Sequence, residues 1–98
     1  MKHNDHVLYL AADGGNQLFL HADAKGLDVL IASLLGLKQK IAAGKCDHDH
    51  LMTEAWAGVG ELTEAEGCEK EGRIIHHLKV YAWTDEWSRK HGFIKDDK

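Results

Sequence analysis

The sequence predicts an α+β protein with element order ββαβββ: a single sheet covered on one face by one long helix, with a short C-terminal helix at the end. Three observations carry this expectation. Two short apolar runs flank Asp13-Gly14-Gly15, the segment from Ala24 to Ala43 repeats apolar residues at helical spacing, and Arg73 to Trp83 alternates with the period of a strand. At 98 residues the chain is expected to form a single domain, residues 1–98, around one core.

The first two strands are His6 to Ala12 (HVLYLAA) and Asn16 to Ala22 (NQLFLHA). Glycine between them supplies the positive φ angles of a hairpin turn. Leu18 and Leu20 then share a face with Leu8 and Leu10, and Phe19 and His21 take the other. Asp23 is the expected N-cap of the helix, its carboxylate accepting from free N–H groups of the first turn. Leu27, Leu30, Ile31, Leu34, Leu37 and Ile41 form the expected apolar stripe, Lys38 and Lys40 suit the closing turns, and Gly44 is placed to end the helix. Gly36, inside the helix, is read as a point of close approach to the sheet.

A third strand is expected over Asp47 to Trp56 (DHDHLMTEAW), with Asp49, Leu51, Thr53 and Ala55 on one side and His48, His50, Met52, Glu54 and Trp56 on the other. A Gly58-Val59-Gly60 turn, a short edge strand from Glu61 to Glu64 and a polar loop from Ala65 to Gly72 follow. The last strand, RIIHHLKVYAW, is the best in the sequence. It sets Ile74, His76, Leu78, Val80 and Ala82 against the core and Arg73, Ile75, His77, Lys79, Tyr81 and Trp83 on the opposite face. Thr84 caps a short helix ending at Gly92, with Asp85 and Glu86 favourably placed in its first turn, and Lys95 to Lys98 form a charged tail.

Composition narrows the function. A formal net charge of -4 argues against nucleic-acid binding. No apolar run is long enough to cross a bilayer, and MKHNDHVLYL lacks the uninterrupted apolar segment of a signal peptide, so a cytoplasmic protein is expected. Cys46 and Cys68 stand far apart without a CxxC partner and read as reduced thiols. Ser33 and Ser88 lie in helices away from any nucleophile elbow, and Gly14-Gly15 closes a hairpin where a phosphate loop would open a helix. No catalytic constellation emerges, and no cofactor is called for.

Two features stand out against that background. The eight histidines include His48 and His50, whose i, i+2 spacing on a strand suits two zinc ligands, with His76, His77 or His21 as a third. Histidine is also an ordinary polar strand residue, and that structural role is the favoured one. Trp56, Tyr81, Trp83 and Trp87 fill a core in the simplest reading of each, yet as a group among Glu and His they fit a protein-binding surface.

The helix start Gly26-Leu27, the stretch DHDHLMT from Asp47 to Thr53, WAGVGELT from Trp56 to Thr63, and IHHLKVYAW from Ile75 to Trp83 together resemble the immunity protein 32 family of bacterial polymorphic toxin systems. The resemblance implies a small cytoplasmic α+β protein that binds and neutralises a cognate toxin, and His48, His50, Trp56, His76, His77 and Tyr81 match its motifs. An inhibitor of this kind needs complementary shape and charge only. The stretch from Glu54 to Glu71 holds one base, Lys70, and suits a toxin with a cationic groove, such as a nuclease. The expected contact set is therefore Glu54, Trp56, Glu61, Glu64, Glu66, His77, Tyr81 and Trp83, on a monomer or on a homodimer formed by strand-edge pairing. The alternative is a small zinc protein or enzyme built on His48, His50 and His76.

Overall fold

The computed structural model describes residues 5–57, 60–64 and 72–95. The Gly58-Val59 part of the expected turn, the loop residues 65–71 with Glu66 and Cys68, and the tail residues 96–98 lie outside the described residues. The elements are β1 (Leu8–Ala12), β2 (Leu18–Ala22), α1 (Ala24–Ala42), β3 (Asp47–Met52), α2 (Glu54–Ala57), β4 (Arg73–Ile74), β5 (His77–Ala82) and α3 (Asp85–Lys90). The α+β class, the long helix and the short C-terminal helix are as the sequence predicts.

β1 and β2 form an antiparallel hairpin in which Leu10 faces Leu20 and Leu8 faces Ala22. Its turn is organised by Asp13, whose Oδ1 accepts from the N–H of Gly15 at 2.7 Å and of Gln17 at 3.3 Å, while Gly14 takes φ +83°. Asp23 caps α1 and also ties it to the sheet, for its Oδ1 accepts from Gly26 N–H at 2.8 Å and from Val7 N–H at 3.0 Å. Gly44, at φ +80°, turns the chain out of the helix. Thr84 Oγ1 caps α3 by accepting from Trp87 N–H at 3.1 Å.

The single sheet of the sequence reading is two sheets, one of order β2-β1-β4 and one of order β3-β5. The reason lies in the run from Arg73 to Trp83, which breaks at Ile75 and His76. Ile75 N–H donates to Leu10 O at 2.8 Å, whereas His76 O accepts from Thr53 N–H at 2.9 Å, so one half of the run pairs with β1 and the other with β3. Side-chain alternation cannot register such a change of partner. Ile75, expected outside, packs against the core as a result, while Leu78, Val80 and Ala82 face inward as expected.

The third strand also stops early, at Met52, because Glu54 to Ala57 form the short α2. The expected edge strand at Glu61 to Glu64 is neither a strand nor an edge. Leu62 N–H donates to Met52 O at 3.1 Å and Thr63 N–H to Leu8 O at 2.8 Å, which places these two buried residues as a bridge between the sheets. Thr63 Oγ1 completes the joint by accepting from Leu8 N–H at 2.8 Å. The core cluster of Leu8, Leu10, Leu51 and Leu62 sits at this joint, with Val29 and Leu30 of α1 packed over it. α1 thereby spans both sheets, contacting β1, β2, β3 and β5.

The helix is rotated relative to the expected stripe. A Cβ on Gly26 would lie 1.6 Å from Val7 O, so the glycine lets the helix start rest on the backbone of the sheet, and Gly26, Val29, Leu30, Ser33 and Leu37 turn inward. Ser33 Oγ is satisfied there by donating to Asp49 Oδ2. Leu27, Ile31 and Leu34 are left facing out, together with Leu35. Gly36, read from the sequence as the close approach, has nothing within 4 Å of where its Cβ would be.

Candidate functional site

Strand pairing decides which side chains share the face of β3 and β5 that points away from α1. His48 lies opposite Tyr81, His50 opposite Lys79 and Met52 opposite His77. Asp49, Leu51, Leu78 and Val80 occupy the other face, toward Ser33 and the core. Period-2 alternation of the two strands is sufficient to sort these residues, and here the expectation from sequence holds.

On the open face the rings touch in sequence. Trp56 stacks on His76, with centroids 5.5 Å apart and planes 5° from parallel, and also meets His77 at 6.4 Å. His77 stacks on His50 at 5.0 Å, His50 meets His48 edge-on at 4.9 Å, and His48 lies 5.8 Å from Tyr81. Tyr81 stacks on Trp83 at 5.4 Å, Trp83 on Trp87 at 4.0 Å, and Trp87 on His91 at 4.1 Å and Phe93 at 5.4 Å. Lys79 Nζ lies 4.8 Å above the Tyr81 ring, a cation–π contact. The result is one continuous row of rings from α2 to the end of α3. It is open to solvent at both ends and in the middle, with Trp56 62% exposed, Tyr81 51% and Phe93 70%.

Electrostatics within the row are set by its histidines. His50 Nδ1 and His77 Nε2 share a hydrogen bond of 2.8 Å, so one of the two nitrogens carries the proton and the other accepts it. Burial, and then the charges of His48, His77 and Lys79, lower the pKa of His50 against the opposing pull of Asp49. Outside the row, burial works against the charged form of His6, but the Glu61 carbonyl and the Asp5 carboxylate outweigh it and raise its pKa. Asp5 in turn is held down to about 2 by hydrogen bonds from His6 and Lys25.

Of the expected contact residues, Trp56, His77, Tyr81 and Trp83 are brought together in this row. The described acidic ones, Glu54, Glu61 and Glu64, are not. Glu61 is exposed but uses its Oε1 to accept from Met52 N–H at 3.1 Å, and Glu64 is largely covered, with Oε2 3.6 Å from His76 Nδ1. Both brace the joint between the sheets. Glu54 lies half-buried at the start of α2, and Glu66 lies outside the described residues. His91 and Phe93 are row members that the sequence reading does not reach, although the i, i+4 spacing of Trp87 and His91 on a capped helix is the signal that finds one of them.

The set His48, His50 and His76 is not assembled. His76 sits at the break between β4 and β5, hydrogen-bonded through Nδ1 to Thr53 Oγ1 at 2.7 Å and covered by Trp56, and the histidine that reaches His50 is His77. Among the described residues no group of three His, Cys, Asp or Glu side chains could hold a metal ion. Cys46 is a free, exposed thiol. None of the described helices is long and apolar enough to cross a membrane.

Fold and surface together define a small α+β protein with an extended aromatic and histidine face. The family model for Immunity protein 32 matches residues 17–86, a span from the hairpin to the start of α3, and the chain belongs to that family. No curated protein and no solved structure gives a significant match.

Proposed function

We propose that this protein neutralises a cognate bacterial toxin in the cytoplasm by covering it, without catalysis, and that the open face of β3 and β5 is the contact surface. The observation that carries the reading is the row of rings with Trp56, Tyr81 and Trp83 exposed along it. Large amphipathic rings already held by their neighbours lose little side-chain freedom on binding, which is why Trp and Tyr anchor interfaces. Membership of an immunity family supplies the class of partner.

The net charge of -4 favours a toxin with a basic groove, such as a nuclease, because opposite fields speed encounter. Glu54 is the charge to probe for this, since reversing Glu61 or Glu64 would disturb the joint between the sheets.

Titration of the purified protein with the toxin encoded beside it, followed by calorimetry, tests the proposal. Trp56→Ala and Tyr81→Ala are each expected to weaken binding by roughly tenfold or more. Toxin affinity unchanged in both variants, with the fold intact by circular dichroism, would remove this face as the contact surface. Glu54→Lys is expected to slow association at low salt, and an unchanged rate would remove the basic-groove reading.

A further inference from the structure

The outward row of α1 offers a second surface, on the helix and away from the ring-lined face. Leu27, Ile31, Leu34 and Leu35 are 45%, 48%, 41% and 51% exposed. At 3.6 residues per turn they fall on one stripe. Asp28 lies on the same stripe near the start of the helix and Lys38 near its end, and neither has an ion-pair partner among the described residues. We propose that this stripe is the interface of a homodimer in which two copies of α1 pack antiparallel about a twofold axis.

Two properties of the molecule point to a second copy as the occupant. First, the charge pattern is self-complementary. A twofold axis level with Ser33 sets Ile31 against the partner copy's counterpart of Leu35 and, at the same time, Asp28 against its counterpart of Lys38, twice over. A parallel arrangement would instead oppose like charges. Second, the patch is aliphatic, the character of homodimer interfaces, whereas the face of β3 and β5 is aromatic and polar.

The inference is independent of the toxin-binding reading and goes beyond it.

Sedimentation velocity of the full chain over a concentration series, without toxin, tests the proposal. A reversible dimer is expected for the wild type. Asp28→Lys and Lys38→Asp are each expected to weaken it by roughly tenfold or more, since every contact then opposes like charges. An equimolar mixture of the two variants is expected to recover the dimer. The first variant carries positive charge at both ends of its stripe and the second negative charge at both ends, so a mixed pair opposes unlike charges throughout; this recovery also shows that both variants are folded. A monomer at every concentration overturns the proposal, and so do single variants that dimerise as tightly as the wild type. If the wild type is monomeric and Ile31→Glu abolishes toxin binding, the stripe belongs to the toxin and the dimer is likewise excluded.

Discussion

His50 and His77, 27 residues apart in the chain, share a hydrogen bond of 2.8 Å at the centre of the ring row. The pair is formed by β3 and β5 pairing antiparallel, and its His50 member makes the face sensitive to acid. The pKa of His50 is lowered, so the folded state binds fewer protons there than the unfolded state does. Its contribution to stability is therefore fully present above the unfolded value of 6.5 and is lost as pH falls through the folded value. His6, with a raised pKa, acts in the opposite sense: its contribution is present below 6.5 and is lost as pH rises through its folded value. Comparing wild type with His50→Gln separates the two. The wild type is expected to lose more stability than the variant between neutral pH and the acid side of 6.5, read from urea midpoints.

The two glycines of α1 have opposite consequences. Gly26→Ala would drive a methyl group into Val7 O and is expected to destabilise the protein by about 3 kcal/mol, the upper end of overpacking costs. Gly36→Ala meets open space and is expected to stabilise it by about 0.5–1 kcal/mol. Denaturant midpoints of the two variants should move to opposite sides of the wild type.

Asp23 serves two donors on two elements, Val7 N–H and Gly26 N–H, and its pKa is lowered by those bonds in that order. Asp23→Ala removes the cap and the tie together and is expected to lower the thermal midpoint by roughly 4–8 °C at neutral pH. As a carboxylate with a depressed pKa, Asp23 contributes stability above its unfolded value of 3.8 that is lost as pH falls through the folded value. The gap between variant and wild type should therefore close in strong acid.

Thr53 connects the core to the ring row, for its hydroxyl bonds His76 Nδ1 and Trp56 stacks on that imidazole. Thr53→Val keeps the shape and removes the bond. It is expected to cost about 1–3 kcal/mol because a half-buried ring nitrogen loses its partner. If His76 positions Trp56, toxin affinity measured well below the unfolding midpoint should fall as well. A loss of stability with unchanged affinity would limit Thr53 to the core.

Much of this protein follows from local rules that the sequence carries by itself. Asp23 and Thr84 cap helices because a short polar side chain reaches N–H groups three residues on, and Gly44 and Gly92 end them because glycine accepts a left-handed backbone. The inward Leu51, Leu78 and Val80 and the outward His48, His50, His77 and Tyr81 follow from a period of two within unbroken strands. Tertiary structure decided the rest, wherever two distant segments compete for one position. The run from Arg73 to Trp83 divides between two sheets because Leu10 and Thr53 claim adjacent backbone groups. α1 turns Ser33 inward and Ile31 outward because Gly26 rests on Val7 and Ser33 finds Asp49. His77 reaches His50 while His76 is held by Thr53, although the two are adjacent in the chain and alike in chemistry. Periodicity reports which residues share a side of their own element, but only packing settles what that side meets.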